Sequence, residues 1–297
     1  MELRHICGNT YTAVGTGAIM GVYRLNERDV VLLDTGVRQK DRAGLDAMLD
    51  ENHFTVKGIF CSHAHYDHSG STQYLRNKWN APVAAQIIEA GIGATPESYH
   101  ANYTYATYEQ CRQFFAEEWF TTDVVIGRNA DSVSFCGAEF GILQLPGHTA
   151  GQIGIVTPDN VAYLADSLIG PAAQAAAKLP TSMCIRDDLI SKASLHDLNC
   201  KAYILAHHDI LTSIHGLIDA NIEMLHQKAQ EILDCLTDGM TDDQWRSAFS
   251  ESLWLRTHNP FKLSVIRRNF ASFLFYLEDT GAIGVQWDNC TKHYVRL

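Results

Sequence analysis

At 297 residues, with 46% hydrophobic and 19% charged side chains, the chain is long enough to bury a substantial core and lacks the composition of a disordered segment. Its formal net charge of -11 opposes binding to nucleic acid or to an anionic membrane surface.

In chain order, "GAIMGVYRLNERDVVLLDTG" reads as two strands around a polar turn at residues 26–29, the second ending at Asp34-Thr35-Gly36. Leu45, Met48 and Leu49 recur at helical spacing, so a helix follows. "VKGIFC" is a short buried strand whose end delivers "CSHAHYDHSG" into a loop. A helix after Ser69, carrying Tyr74, Leu75 and Trp79, and a strand over residues 82–85 complete a strand–helix–strand alternation. Residues 96–120 are rich in aromatics and are expected to be helical from about His100.

The second part repeats the layout. "SVSFC", "EFGILQL", "QIGIVT" and "VAYLA" are strands, with turns at Cys136-Gly137 and at residues 158–160. Residues 185–198 have helical periodicity, and "KAYILA" is a last strand before His207-His208-Asp209. Such alternation with apolar strands implies sheets covered by helices. After about residue 212 the pattern turns helical. Residues 214–236 form one long amphipathic helix, Thr241-Asp242-Asp243-Gln244 opens a second through a capping box, and "LSVIRRNFASFLFYLEDTG" is a third stopped by Gly281. "AIGVQWDNCTKHYVRL" then predicts a hairpin turning at Asp288-Asn289. Helices followed by a hairpin resemble a winged-helix module, giving expected domains at 1–212 and 213–297.

The chemistry concentrates at His63, His65, Asp67 and His68. Three histidines and a carboxylate at the end of a buried strand would be costly to desolvate together without a cation. Imidazole and carboxylate donors suit zinc and similar divalent ions. His-x-His-x-Asp-His is the signature of the metallo-β-lactamase-fold hydrolases, which the chain resembles over roughly residues 10–210. "LPGHTAGQIG" supplies His148, "AYLADSL" supplies Asp166, and "YILAHHD" supplies a last histidine.

That resemblance implies an α+β, four-layer αβ/βα sandwich followed by a C-terminal helical, winged-helix-like domain. It implies that His63, His65 and His148 hold one metal, that Asp67, His68 and the last histidine hold a second, and that Asp166 bridges them. The Ala206-His207 pair favours His207 over His208 as that histidine. Two divalent ions, zinc foremost with iron or manganese as alternatives, would generate a bridging hydroxide near neutral pH. Asp67 would also orient the nucleophile and carry a proton to the leaving group.

Asp34 stands where such proteins keep an aspartate that orients the metal loop, although it could simply begin the turn at Gly36. Cys61 is expected to pack in the strand core, and Tyr66 to shield the loop. The aromatics Tyr99, Tyr103, Tyr105, Tyr108, Phe114, Phe115 and Trp119 could wall a substrate pocket, but packing within an inserted helix is the simpler expectation.

An aspartate at 166, where zinc β-lactamases commonly carry cysteine, points to the glyoxalase II and lactonase branches, with thioester or cyclic-ester substrates. "SLIGPAAQAAAKLP" does not carry the glutathione-binding motif of glyoxalase II. A mononuclear-iron persulfide dioxygenase is the alternative on the same scaffold, although all seven ligand candidates are present. A nuclease or nucleic-acid binder is the third reading. Its basis is Arg256, Lys262, Arg267 and Arg268, which read more simply as a solvated helix face. No signal peptide is evident, and the eight scattered cysteines fit reduced thiols, so a cytoplasmic enzyme is expected. Its partner would be a small-molecule substrate, without membrane and with a homodimer left open.

Overall fold

The computed structural model describes residues 1–207 and 209–297. Strands β1 (Glu2–Cys7), β2 (Thr10–Val14), β3 (Ile19–Arg24) and β4 (Asp29–Leu33) form an antiparallel meander. Helix α1 (Arg38–Glu51) then crosses back to β5 (Thr55–Cys61), parallel to β4. After the short α2 (Tyr66–Ser69) and α3 (Thr72–Trp79), β6 (Val83–Gln86) extends the parallel half. Helices α4 (Ile87–Ile92), α5 (Pro96–His100) and α6 (Tyr108–Phe114) precede β7 (Val124–Ile126), the last strand of a seven-stranded sheet.

The second sheet has six strands. They are β8 (Ser132–Phe135), β9 (Ala138–Gln144), β10 (Ile153–Val156), β11 (Val161–Ala165), β12 (Ala202–Leu205) and β13 (Asp209–Leu211). Helices α7 (Pro171–Ala176) and α8 (Ile185–Ser194) lie between β11 and β12, which pair in parallel. The C-terminal region runs α9 (His215–Asp234), β14 (Met240–Thr241), α10 (Asp242–Ser252), α11 (Pro260–Asp279), β15 (Ile283–Asp288) and β16 (Thr291–Arg296). Its three strands form a small sheet of their own.

Burial explains the layering. On β4, Val30 and Leu32 face Leu45, Met48 and Leu49 of α1, while Val31 and Leu33 face the other sheet. Between the sheets, Phe60 meets Phe135 and Phe140 edge to face at 4.8 and 5.0 Å. Fully burying such a ring contributes roughly 1.5–3 kcal/mol. On the far face of the second sheet, Leu164 and Leu205 pack with Leu195, Ile214 and Ile218. Helix, sheet, sheet and helix therefore stack as four layers, an α+β sandwich. The C-terminal helices enclose a core of their own around Trp245, Phe249, Phe270 and Phe273, which also takes in Ile185 of α8.

Sequence periodicity locates most of these elements. The Thr241 capping box forms with both reciprocal hydrogen bonds, and Gly281 follows α11 at a φ of 74°. Three expectations shift. The 96–120 segment is two short helices, because Thr107 caps α6 separately with its own capping box. The hairpin turns at Asn289-Cys290, since Asp288 pairs with Thr291. The N-terminal strands β1 and β2, unmarked by any long apolar run, extend the first sheet. None of the helices among the described residues is long and apolar enough to cross a membrane.

Candidate metal centre

The cluster sits where β5, the β9–β10 connection, β11 and β12 end on one side of the sandwich. The β5 end carries His63 and His65 into an extended loop, and α2 then turns Asp67 and His68 back toward it. His148 follows Gly147, which holds a φ of 138°; a Cβ there would collide with the backbone of Asp188. The buried ion pair of Asp188 with Lys192 lies beneath this loop. Asp166 follows Ala165, whose φ of 47° breaks the register between β11 and β12. A left-handed alanine is uncommon and marks a constrained turn.

Six of these side chains and His207 converge. His65 Nδ1 lies 3.0 Å from both His63 Nε2 and His148 Nε2. Asp166 lies 3.3 Å from His68 Nε2 through one oxygen, and 3.3 Å from His148 Nε2 and His207 Nε2 through the other. His207 Nε2 is 3.8 Å from Asp67 Oδ2. Three groups each bring their donor atoms within 4.8 Å of one another: His63, His65 and His148; His63, His68 and Asp166; and Asp67, His68 and His207. All seven expected residues are thus brought together, and His208 lies outside the described residues.

The hydrogen bonds behind the cluster fix which nitrogens are bare. Asp34 Oδ2 accepts from Ser62 Oγ at 2.6 Å, from His68 Nδ1 at 2.7 Å and from the Tyr163 hydroxyl at 2.8 Å. Its Oδ1 accepts from the Ser62 amide at 2.7 Å. Because Ser62 donates to Asp34, its oxygen is left to accept from His63 Nδ1 at 3.1 Å. His148 Nδ1 donates to the Thr181 carbonyl at 2.9 Å. In His63 and His148 the Nδ1 proton is therefore spoken for, and Nε2 turns a lone pair toward the cluster, while His68, held at Nδ1, turns its Nε2 toward Asp166.

Electrostatics separate the group in two. Burial, reinforced by the neighbouring imidazoles, holds His63 and His65 well below the usual histidine range, and burial lowers His148 as well. Burial also disfavours a charged His68, but Asp166 and Asp34 outweigh it and raise that group well above its ordinary value. Asp166 raises His207. Burial disfavours an ionised Asp166, yet His68, His207 and His148 together hold it well below the carboxylate range.

These donors fit a divalent cation. His63 Nε2 and His148 Nε2 both face His65 Nδ1 at 3.0 Å, and since one His65 proton could satisfy only one of them, a cation among the three accounts for the arrangement. His68 Nε2 and Asp166 Oδ1 are buried without a hydrogen-bond partner among the described residues, an arrangement that a shared positive ion would satisfy. The mixed imidazole and carboxylate set matches zinc, iron or manganese chemistry without selecting among them.

The description "Metallo-beta-lactamase superfamily" belongs to the family model that matches residues 20–196. The chain belongs to that superfamily. Hydroxyacylglutathione hydrolase 1 of Vibrio vulnificus (strain YJ016) is 26% identical over 133 residues, 44% of this chain. The match spans only 40% of that relative's length. Among solved structures, a metallo-beta-lactamase family protein from Thermus thermophilus superposes with a TM-score of 0.73 at 18% identity, covering 94% of each chain. A beta-lactamase domain protein from Burkholderia ambifaria gives 0.73 at 11% identity over the whole of this chain and 94% of that one. Both alignments extend into the C-terminal region.

Sequence reasoning missed Glu89. It is fully buried, and its carboxylate accepts from the Ala64 amide at 2.8 Å, Thr149 Oγ1 at 2.7 Å and the Gly151 amide at 2.8 Å. It therefore ties the loop of His63 and His65 to the loop of His148. Burial raises its pKa, and the three donors oppose that rise. Its only sequence signal is a lone acid in a short apolar helix.

A cleft of about 530 Å³ opens over the cluster, reaching His65, Asp67, His148, Asp166 and His207. Tyr66, Tyr103 and Phe114 line it on one side, and Phe261, Val265, Ile266 and Arg268 of α11 on the other. The aromatic segment therefore divides: Tyr99 and Phe115 stack in the core at 4.2 Å, while Tyr103 and Phe114 reach the cleft. A larger cleft of about 750 Å³ lies along α10 and the start of α11 and touches none of the cluster residues. The four cations expected on a solvated face have different surroundings. Arg267 pairs with Asp243, Arg256 lies over Trp254, and Lys262 and Arg268 line the metal cleft.

Proposed function

We propose that the protein hydrolyses an ester-like bond of a small molecule, a thioester or lactone being the favoured class, using a dinuclear divalent metal centre. His63, His65 and His148 would hold one ion, Asp67, His68 and His207 the other, and Asp166 would bridge them. The observation that carries this reading is the convergence of seven donors with bare nitrogens and an unpartnered carboxylate oxygen. When bound, such ions supply an activated water near neutral pH and polarise the acyl oxygen.

The chain's own residues do the rest. Asp34 and Thr181 lock the tautomers of His68 and His148, so the ligand nitrogens are preset. Asp67 is partly exposed on the cleft floor, where it can take a proton from the attacking water and return it to the leaving group. Tyr103, Phe114 and Phe261 exclude water around an apolar acyl portion. The same reading divides the chain into a catalytic domain at 1–212 and a winged-helix-like module at 213–297 that narrows the cleft through α11. Helix, strand, two helices and a hairpin in that order support the winged-helix comparison.

Metal analysis of protein purified without added metal, with a hydrolysis screen of thioesters, lactones, phosphodiesters and cephalosporins, tests the proposal. Two equivalents of metal and thioester or lactone turnover are expected. One equivalent of iron with oxygen uptake would replace the reading by a persulfide dioxygenase.

A further inference from the structure

Arg268 of α11 lines the metal cleft and also a second cleft bordered by Asp242 and Asp243, and it pairs with neither acid. Arg268 Nε and Nη1 are buried, and neither has a hydrogen-bond partner among the described residues. Its neighbour Arg267 is paired with Asp243, whereas Arg268 enters no ion pair among the described residues. The carboxylates nearest the cleft are Asp67 and Asp166, both claimed by the imidazole cluster.

Arg268 as a whole is half-buried, but shielding two of its guanidinium nitrogens without a partner carries a desolvation cost. Methionine or leucine would fill the same space. Burial lowers the Arg268 pKa, and a guanidinium keeps its charge in proteins even so. An anion entering the cleft would supply the partner that Arg268 lacks. The cleft that Arg268 shares with the cluster also presents the apolar side chains of Tyr103, Phe114 and Phe261. One buried cation balances one negative charge, and a planar guanidinium matches a carboxylate with two parallel hydrogen bonds.

We infer that Arg268 is the specificity-determining residue of the cleft, and that the substrate is an amphiphilic monoanion whose carboxylate it binds while the scissile acyl bond lies over the cluster. This deepens the hydrolase reading and rests on it. Lys262, exposed at the rim, adds only attraction at a distance.

The test is calorimetric binding of 4-phenylbutanoate and its neutral counterpart 4-phenylbutanamide to the full-length, zinc-loaded protein. Charge-assisted bonds to one guanidinium should make the carboxylate bind on the order of 10- to 100-fold tighter. Arg268→Gln should bring the two ligands to within about twofold while leaving zinc content and amide affinity unchanged, and Arg268→Lys should restore part of the difference. Equal binding of the two ligands by the unaltered protein overturns the inference without any variant. So does a preference that survives Arg268→Gln, because the carboxylate would then be held by the metal ions or by Lys262. A preference that disappears with Arg268 while no ester or thioester is turned over upholds the anion site and sinks only the hydrolase reading.

Discussion

The metal cluster and the cleft wall above it are built in opposite ways. In the cluster three of the seven side chains are held from behind, His68 by Asp34, His148 by Thr181 and His63 by Ser62, and Glu89 ties the two loops together. On the wall, Phe114 is 37% exposed, Lys262 is exposed, and Arg268 lacks any partner among the described residues. A centre that must hold ions in one geometry needs ligands that cannot turn. A surface that must accept and release a substrate needs groups left partly unsatisfied. Cluster substitutions should therefore change metal content, and wall substitutions should change substrate affinity while sparing the metal.

The largest effect should come from Asp166→Ala. Its carboxylate meets His68, His148 and His207, so its loss reaches both halves of the cluster. Activity should fall on the order of 10³-fold, the several kcal/mol expected when metal-centre charge stabilisation is lost. Chelation should remove metal and activity together. Two equivalents retained by Asp166→Ala would mean that this residue does not bridge.

His207→Ala should be milder in metal terms. It contacts Asp166 and Asp67 but not the trio of His63, His65 and His148. One equivalent should be lost and one kept, whereas His63→Ala should disturb both because His63 belongs to two of the three donor groups. Two equivalents retained by His207→Ala would point to the neighbouring His208 as the ligand.

Glu89→Gln probes the supports. The amide can still accept from Thr149 and Gly151, but its NH₂ group would face the Ala64 amide donor. Metal affinity should drop roughly 10–100-fold, as for other groups that orient ligands without touching the ion. Asp34→Asn should do the same on the side of His68, with four donors left facing an amide. Unchanged affinity in both would show that the loops hold themselves.

This contrast also explains what the sequence reveals. His63, His65, Asp67 and His68 stand within six positions, and His148, Asp166 and His207 each end a strand-like run, so the candidate ligands are legible as spacing. Asp34 is legible only in part, because "LDTG" fits a turn as well as a support. Glu89, Ser62 and Tyr163 are not: each acts through one hydrogen bond or a few to partners that only the closed sandwich brings near, 129 residues away for Tyr163 and Asp34. Arg268 reads wrongly as a solvated cation for a related reason. Helical periodicity reveals which residues share a face, but the tertiary packing decides whether that face meets water or a cleft.

Phe114→Ala should have the smallest effect and tests the wall directly. Its ring lies 5.9 Å from Tyr66 and 4.6 Å from Phe261, closing the cleft between the 96–120 segment and α11. Because it is partly exposed already, its loss should cost only about 1 kcal/mol of stability. An apolar substrate portion should lose part of its contact, raising KM by roughly 3- to 10-fold with little change in kcat, since ground and transition states share that contact. Zinc content should stay at the unaltered level, because no ligand or supporting residue touches the ring. Metal loss in this variant would break the division between a rigid centre and a yielding wall. A fall in kcat at constant KM would instead place Phe114 among the groups that exclude water from the reacting bond.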